Sequence, residues 1–133
     1  MAGGVSSSKL QVWDGTEWRV LSDMPEARNG AAGAAHERDR VMVMGGRVRG
    51  NVPYETLAYD PRRDRWATAR PLPQVRPGRE VHAWCTAVEH DGAVVLFGDQ
   101  SALRFEDDAW AMPPYPPLTW AIARSCAGSA LLG

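Results

Sequence analysis

Three tryptophans, Trp18, Trp66 and Trp110, recur along the chain at intervals of 48 and 44 residues. Each closes the same short phrase: an aromatic residue, an acid, a few polar turn formers, then the indole. The phrase reads Trp13-Asp14-Gly15-Thr16-Glu17-Trp18, then Tyr59-Asp60-Pro61-Arg62-Arg63-Asp64-Arg65-Trp66, then Phe105-Glu106-Asp107-Asp108-Ala109-Trp110. A period of this size marks a supersecondary unit copied along the chain, and one such unit is too small to bury its own apolar face. The 133 residues therefore form a stack of a few neighbouring units.

Other marks keep step with the tryptophans. Seven residues after each comes a proline, Pro25, Pro73 and Pro117, the first two as Met24-Pro25 and Leu72-Pro73. Arg28 and Arg76 follow ten residues after the first two. A small-residue segment comes next, at 28–35, 79–87 and 124–130. A charged turn, 37–40 or 89–92, then leads into an apolar run that ends in glycine: Val41–Met44 before Gly45-Gly46, and Val94–Phe97 before Gly98-Asp99.

These units read as strands. Thirteen Gly and ten Pro are spread from end to end, and the apolar runs between them are short, the pattern of an all-β chain with a turn at each break. The Ala-rich stretch 27–35 is the best helix candidate, but Gly30 and Gly33 inside it cost about 1 kcal/mol each relative to Ala. The run 41–44 predicts a strand buried on both faces. Alternation at Leu57 and Tyr59, and at Leu103 and Phe105, predicts half-buried strands.

The order of arginine, small strand, hydrophobic strand, Gly-Gly, Tyr-Asp-Pro, Trp and Leu-Pro resembles the kelch repeat, in wording closest to kelch-like and kelch-domain-containing proteins. Residues 41–46, 59–60 and 66 match it best; Asp99 replaces the second glycine of the second copy, and Phe105-Glu106 its Tyr-Asp. The resemblance implies an all-β fold, a partial kelch-type β-propeller of four-stranded antiparallel blades. Residues 1–9 are then a disordered tail and 10–133 a partial repeat domain. Within it, 10–21 end one blade, 28–68 make a full blade, 79–112 a shorter and degenerate one, and 124–133 the first strand of another. Propellers close with four to eight blades, so an incomplete ring is expected to associate through its open faces.

The same resemblance implies a non-enzymatic scaffold for protein–protein interaction, and in a longer parent chain substrate recognition for a ubiquitin ligase. The alternatives are a fragment of a kelch-type propeller enzyme, of the sialic acid epimerase or oxidase kind, and a truncated product without independent function. In kelch propellers the loop after the glycine pair lies on a rim that grips peptides, some of them acidic. Carried onto this chain, that rim holds Arg47, Arg49 and Asn51, with Gln100 and Ser101 in the second copy. Arginine offers carboxylates a planar two-pronged grip.

Composition narrows the partners. Fifteen basic and sixteen acidic residues leave a charge of -1, which argues against a nucleic-acid or membrane-surface binder. No apolar run is long enough for a bilayer, and residues 1–9 lack the apolar core of a signal peptide. Cys85 and Cys126 cannot make a disulfide framework or a zinc site by themselves. A cytoplasmic or nuclear location with reduced thiols is expected, with no metal and no cofactor. His36 and His90 flank the charged turns and read as solvated. His82 and Cys85, three apart on a strand, point to opposite faces. Glu106-Asp107-Asp108 and Arg62–Arg65 read as hairpin tips, and Pro113–Pro117 as a connector between blades.

Overall fold

A computed structural model describes residues 7–37, 39–49, 51, 53–73, 84–98 and 102–112. Among these residues ten strands follow in order: β1 (Leu10–Trp13), β2 (Trp18–Leu21), β3 (Ala32–His36), β4 (Arg40–Met44), β5 (Thr56–Asp60), β6 (Arg65–Ala69), β7 (Thr86–His90), β8 (Ala93–Phe97), β9 (Ala102–Glu106) and β10 (Ala109–Ala111). They pair antiparallel in chain order as a hairpin, β1-β2, and two four-stranded sheets, β3-β4-β5-β6 and β7-β8-β9-β10. The fold is all-β, and its open array of sheets is that of a partial propeller. The stretch 27–35 is not a helix: Arg28 and Asn29 make isolated bridges, and its second half, with Gly33, runs into strand β3. No helix among the described residues is long and apolar enough to cross a membrane.

The turns are local chemistry. Asp14 Oδ1 accepts the Glu17 N–H at 3.0 Å and the Thr16 hydroxyl and N–H at 2.8 and 2.9 Å. These bonds, with Arg19 nearby, hold the exposed Asp14 carboxyl down at about 2. Asp60 Oδ1 accepts the N–H groups of Arg62 and Arg63 at 2.9 and 3.3 Å, an Asx turn that tightens the β5-β6 tip. Asp91-Gly92 and Asp107-Asp108 make two-residue hairpins with positive φ at both positions, 51° and 76°, then 51° and 56°. Left-handed pairs of this kind match the twist of antiparallel strands, and Asp adopts them more readily than most residues.

The repeated aromatics are cross-strand partners. Trp13 faces Trp18, Tyr59 faces Trp66 and Phe105 faces Trp110 in register, with ring centroids 5.6, 5.1 and 5.0 Å apart. The last two pairs turn toward the preceding unit. Trp66 Nε1 donates to Ser22 O at 2.8 Å and Trp110 Nε1 to Arg70 O at 3.2 Å, each acceptor lying four residues beyond the preceding tryptophan. Two residues further, Met24 and Leu72 are buried. Their N–H groups donate to Ser8 O and Tyr54 O, both at 2.7 Å, so each connector is stitched to its own unit while its apolar side chain plugs the seam to the next.

β4 feeds both seams. Val43 joins Met24 and Leu57, with Trp66 packed against them. Met42 and Met44 face the other way, into a core with Ala32, Leu72, Val94, Leu96, Leu103 and Phe105. The run 41–44 is thus covered on both sides, as its unbroken apolarity predicts. β5 corrects the expectation of a half-buried strand, since Thr56, Leu57, Ala58 and Tyr59 are all buried. The large residues face one seam, and Thr56 and Ala58 are small enough to be covered on the other. In β9, Ala102, Leu103 and Phe105 are likewise buried.

Three further expectations are corrected. The second copy is not a degraded sheet: all four strands pair, and Phe105 replaces Tyr59 in the aromatic pair with the same spacing, because stacking needs the ring and not the hydroxyl. His36 is not solvated. It is 8% exposed and sets its ring edge against Phe105 of the next sheet, 5.1 Å away at 70°. Ser7 and Lys9, read as the end of a tail, are tied down: Ser7 bridges Arg28 and Lys9 pairs with Asp23 at 2.9 Å. The sequence marks Arg76, Arg79, Asp99 and Pro117, with residues 1–6 and 124–133, lie outside the described residues.

Candidate functional site

The site is the end of the first sheet where the β4-β5 loop meets the connector entering β3. Strand β4 stops at Gly45-Gly46, with φ of 63° and 79°, a conformation that favours residues without a side chain. At Gly46 a Cβ would stand 2.8 Å from Ala31 N. The backbones touch there, and this contact brings the loop onto the connector. Arg47 and Asn29 then exchange two backbone hydrogen bonds, 3.0 and 2.8 Å long. Val48 and Asn51 exchange another two, at 2.7 and 3.0 Å, and Arg49 turns the tip with φ of 49°.

Beneath this small hairpin lies Arg28, with 0% exposure. Its Nη1 donates to Gly45 O at 3.2 Å and its Nη2 to Glu26 Oε1 at 2.8 Å, while Nε has no partner. A guanidinium without water is costly unless paired. Here the pair is a neighbouring carboxylate and a carbonyl from the strand end, so burial of Arg28 locks the connector to the glycine pair. A cleft of 380 Å³ opens above, bounded by Ser8, residues 24–27 and Arg47, Val48 and Arg49. Glu26 is the one acid among these described residues, and it is already engaged by Arg28. The cleft therefore carries two arginines at its rim, a glutamate paired with Arg28 at its wall and apolar area from the exposed Pro25.

Of the residues singled out from sequence, Arg47 and Arg49 meet at this cleft. Asn51 is exposed and holds the hairpin through its backbone, beside the cleft and not in it. Gln100 and Ser101 lie outside the described residues. The reading missed Glu26 and Arg28 as parts of the site. Arg28 was visible as a repeat mark, but nothing in a local pattern says that an arginine is buried.

The other chemical residues are structural where they are described. Cys85 places its thiol 3.5 Å from Met44 O and 3.9 Å from Gly30 O, and burial pushes it up to about 11. His82 and Pro113–Pro117 lie outside the described residues. His90 faces Asp91 at 3.4 Å on a half-exposed turn. Asp108 pairs with Arg70 at 3.2 Å, hairpin tip to connector. Among the described residues, no three His, Cys, Asp or Glu side chains gather in a metal-binding group. No protein-family model matches the chain, and no curated protein matches it.

Proposed function

We propose that this protein is a binding scaffold of the kelch-repeat type, and that the cleft between the connector 24–27 and the hairpin 47–51 grips an acidic peptide. The reading rests on the fold being a stack of blade-like sheets and on the repeat wording of the sequence. One observation carries the choice of surface: Glu26 is engaged from below by Arg28, and Arg47 and Arg49 line the same cleft opposite it. Pro25 offers exposed apolar contact beside those arginines, the mixture from which short peptide sites are built. In a longer parent chain the same surface would recognise substrates for a ubiquitin ligase, in a cytoplasmic or nuclear setting.

The test is binding of a fluorescent hexaglutamate peptide to the purified chain. Arg47→Ala and Arg49→Ala are each expected to weaken it about fivefold, about 1 kcal/mol for a partly exposed charge contact. Affinity is expected to fall as salt rises. A hexaglutamate affinity unchanged in the double variant would refute this surface.

A further inference from the structure

The hairpin β1-β2 presents an apolar face to which the repeat itself assigns an occupant. Gln11, Trp13, Trp18 and Val20 share that face by register. Trp13, Trp18 and Val20 are 51%, 55% and 64% exposed. Of their counterparts in the two sheets, Tyr59 and Phe105 are buried and Trp66 and Trp110 partly buried. What covers each is the connector of the preceding unit: a carbonyl four residues past the preceding tryptophan takes the indole N–H, and the residue two further on, just before a proline, fills the seam. Ser22-Asp23-Met24-Pro25 does this for Trp66, and Arg70-Pro71-Leu72-Pro73 for Trp110.

The sequence carries the connector a third time. Pro114-Tyr115-Pro116-Pro117 stands at the same distance from Trp110, outside the described residues. Trp13, Trp18 and Val20 keep half or more of their surface exposed. We infer that two copies of this chain associate head to tail, residues 114–117 of one copy seating on the Trp13-Trp18-Val20 face of the other, with Trp18 Nε1 donating to Pro114 O. The partner is a second copy because the chain itself supplies both halves of a joint that it makes twice internally. The contact is heterologous, so each copy keeps one used and one unused half, and longer chains of copies form as concentration rises. It is weaker than the internal seams, since the hairpin offers two strands where a sheet offers four.

Sedimentation velocity on the full 133-residue chain tests this with two variants. Reversible, concentration-dependent association is expected, weakened at least tenfold by Trp18→Arg and likewise by Pro116→Asp. Trp18 is exposed, so the first change leaves the circular dichroism spectrum and melting point in place; Val20→Lys serves the same purpose if it does not. Mixing Trp18→Arg with Pro116→Asp restores one good face and one good connector, and a 1:1 pair that grows no further is expected. A chain that stays monomeric across the concentration range overturns the inference. So does association that Trp18→Arg leaves unchanged, or a mixture of the two variants in which no pair forms.

Discussion

Tyr59 shows how much a single side chain does in this fold. Its ring stacks on Trp66, and its hydroxyl donates to Asp64 Oδ1 at 2.6 Å, while the same oxygen accepts the Ser22 N–H at 2.9 Å. Burial first, and then the Asp64 carboxylate, push the phenol up to about 12; the phenol in turn holds Asp64 below the usual carboxylate range. A phenol raised above its unfolded value near 10 stabilises the fold fully below that pH. The contribution is lost as pH climbs from 10 through 12. Asp64 behaves oppositely: its contribution is present above its unfolded value near 4 and is lost as pH falls below it. Tyr59→Phe is expected to cost about 1–2 kcal/mol at neutral pH, read as a lower urea midpoint, and to flatten the stability curve between pH 10 and 12. Gly46 is the other residue with little freedom. Gly46→Ala must hold a side chain at φ of 79° against Ala31 N at 2.8 Å, and about 2 kcal/mol or more of destabilisation is expected. Gly92→Ala has a similar φ, 76°, but nothing within 4 Å, so about 1 kcal/mol is expected there. Equal losses in urea melts of the two variants would contradict the close contact.

At the scale of the element, the connector does more than the sequence announces. Pro25 and Pro73 were legible as places where a sheet must break, because proline cannot donate to a ladder. The residue before each was legible only as apolar. Its burial depends on a neighbouring sheet about twenty to forty residues away, which no local window contains. The same limit explains His36: its flanks are charged, yet Phe105 of another sheet covers it. What depends on short spacing was readable, including the turn at Asp60-Pro61, the strand 41–44 and the aromatic pairs. What depends on the seam was not. Leu72→Ala is expected to cost about 2–4 kcal/mol, the usual penalty for emptying a packed leucine site, against less than 1 kcal/mol for Leu72→Met, both measured by urea unfolding. Cys85 lies at the same seam. With its thiol near 11, alkylation of a Cys126→Ser variant is expected to accelerate about tenfold per pH unit between 8 and 10. Fast, pH-independent labelling would mean that the seam is open.

For the whole molecule, the all-β architecture was readable because a repeat multiplies weak signals: three copies of one phrase agree where a single copy would not persuade. The site was only half readable. Arg47 and Arg49 stood out by following the glycine pair, whereas the charge balance of the cleft turns on Arg28, whose burial is a property of the assembled stack. Nearest-neighbour seams also shape unfolding. Each sheet contacts only its neighbours, so the stability of the array is close to a sum of units and seams. Amides of β4 and β8, at the heart of the two sheets, are expected to exchange with deuterium more slowly than those of the β1-β2 hairpin by at least tenfold, since β1-β2 packs on one side only. Uniform protection across all three would contradict this picture.

The two indole bonds join residues 44 and 40 positions apart in the chain. If the molecule is stretched by its ends, tension passes from Ser22 across to Trp66 and then from Arg70 across to Trp110, bypassing most of each sheet. The two fasteners carry the load in series, and neither shares it with the other. Rupture would therefore come in two discrete events, each paying out about 14–15 nm of hidden contour, so that the stack gives way like a chain of links and not like a single knot.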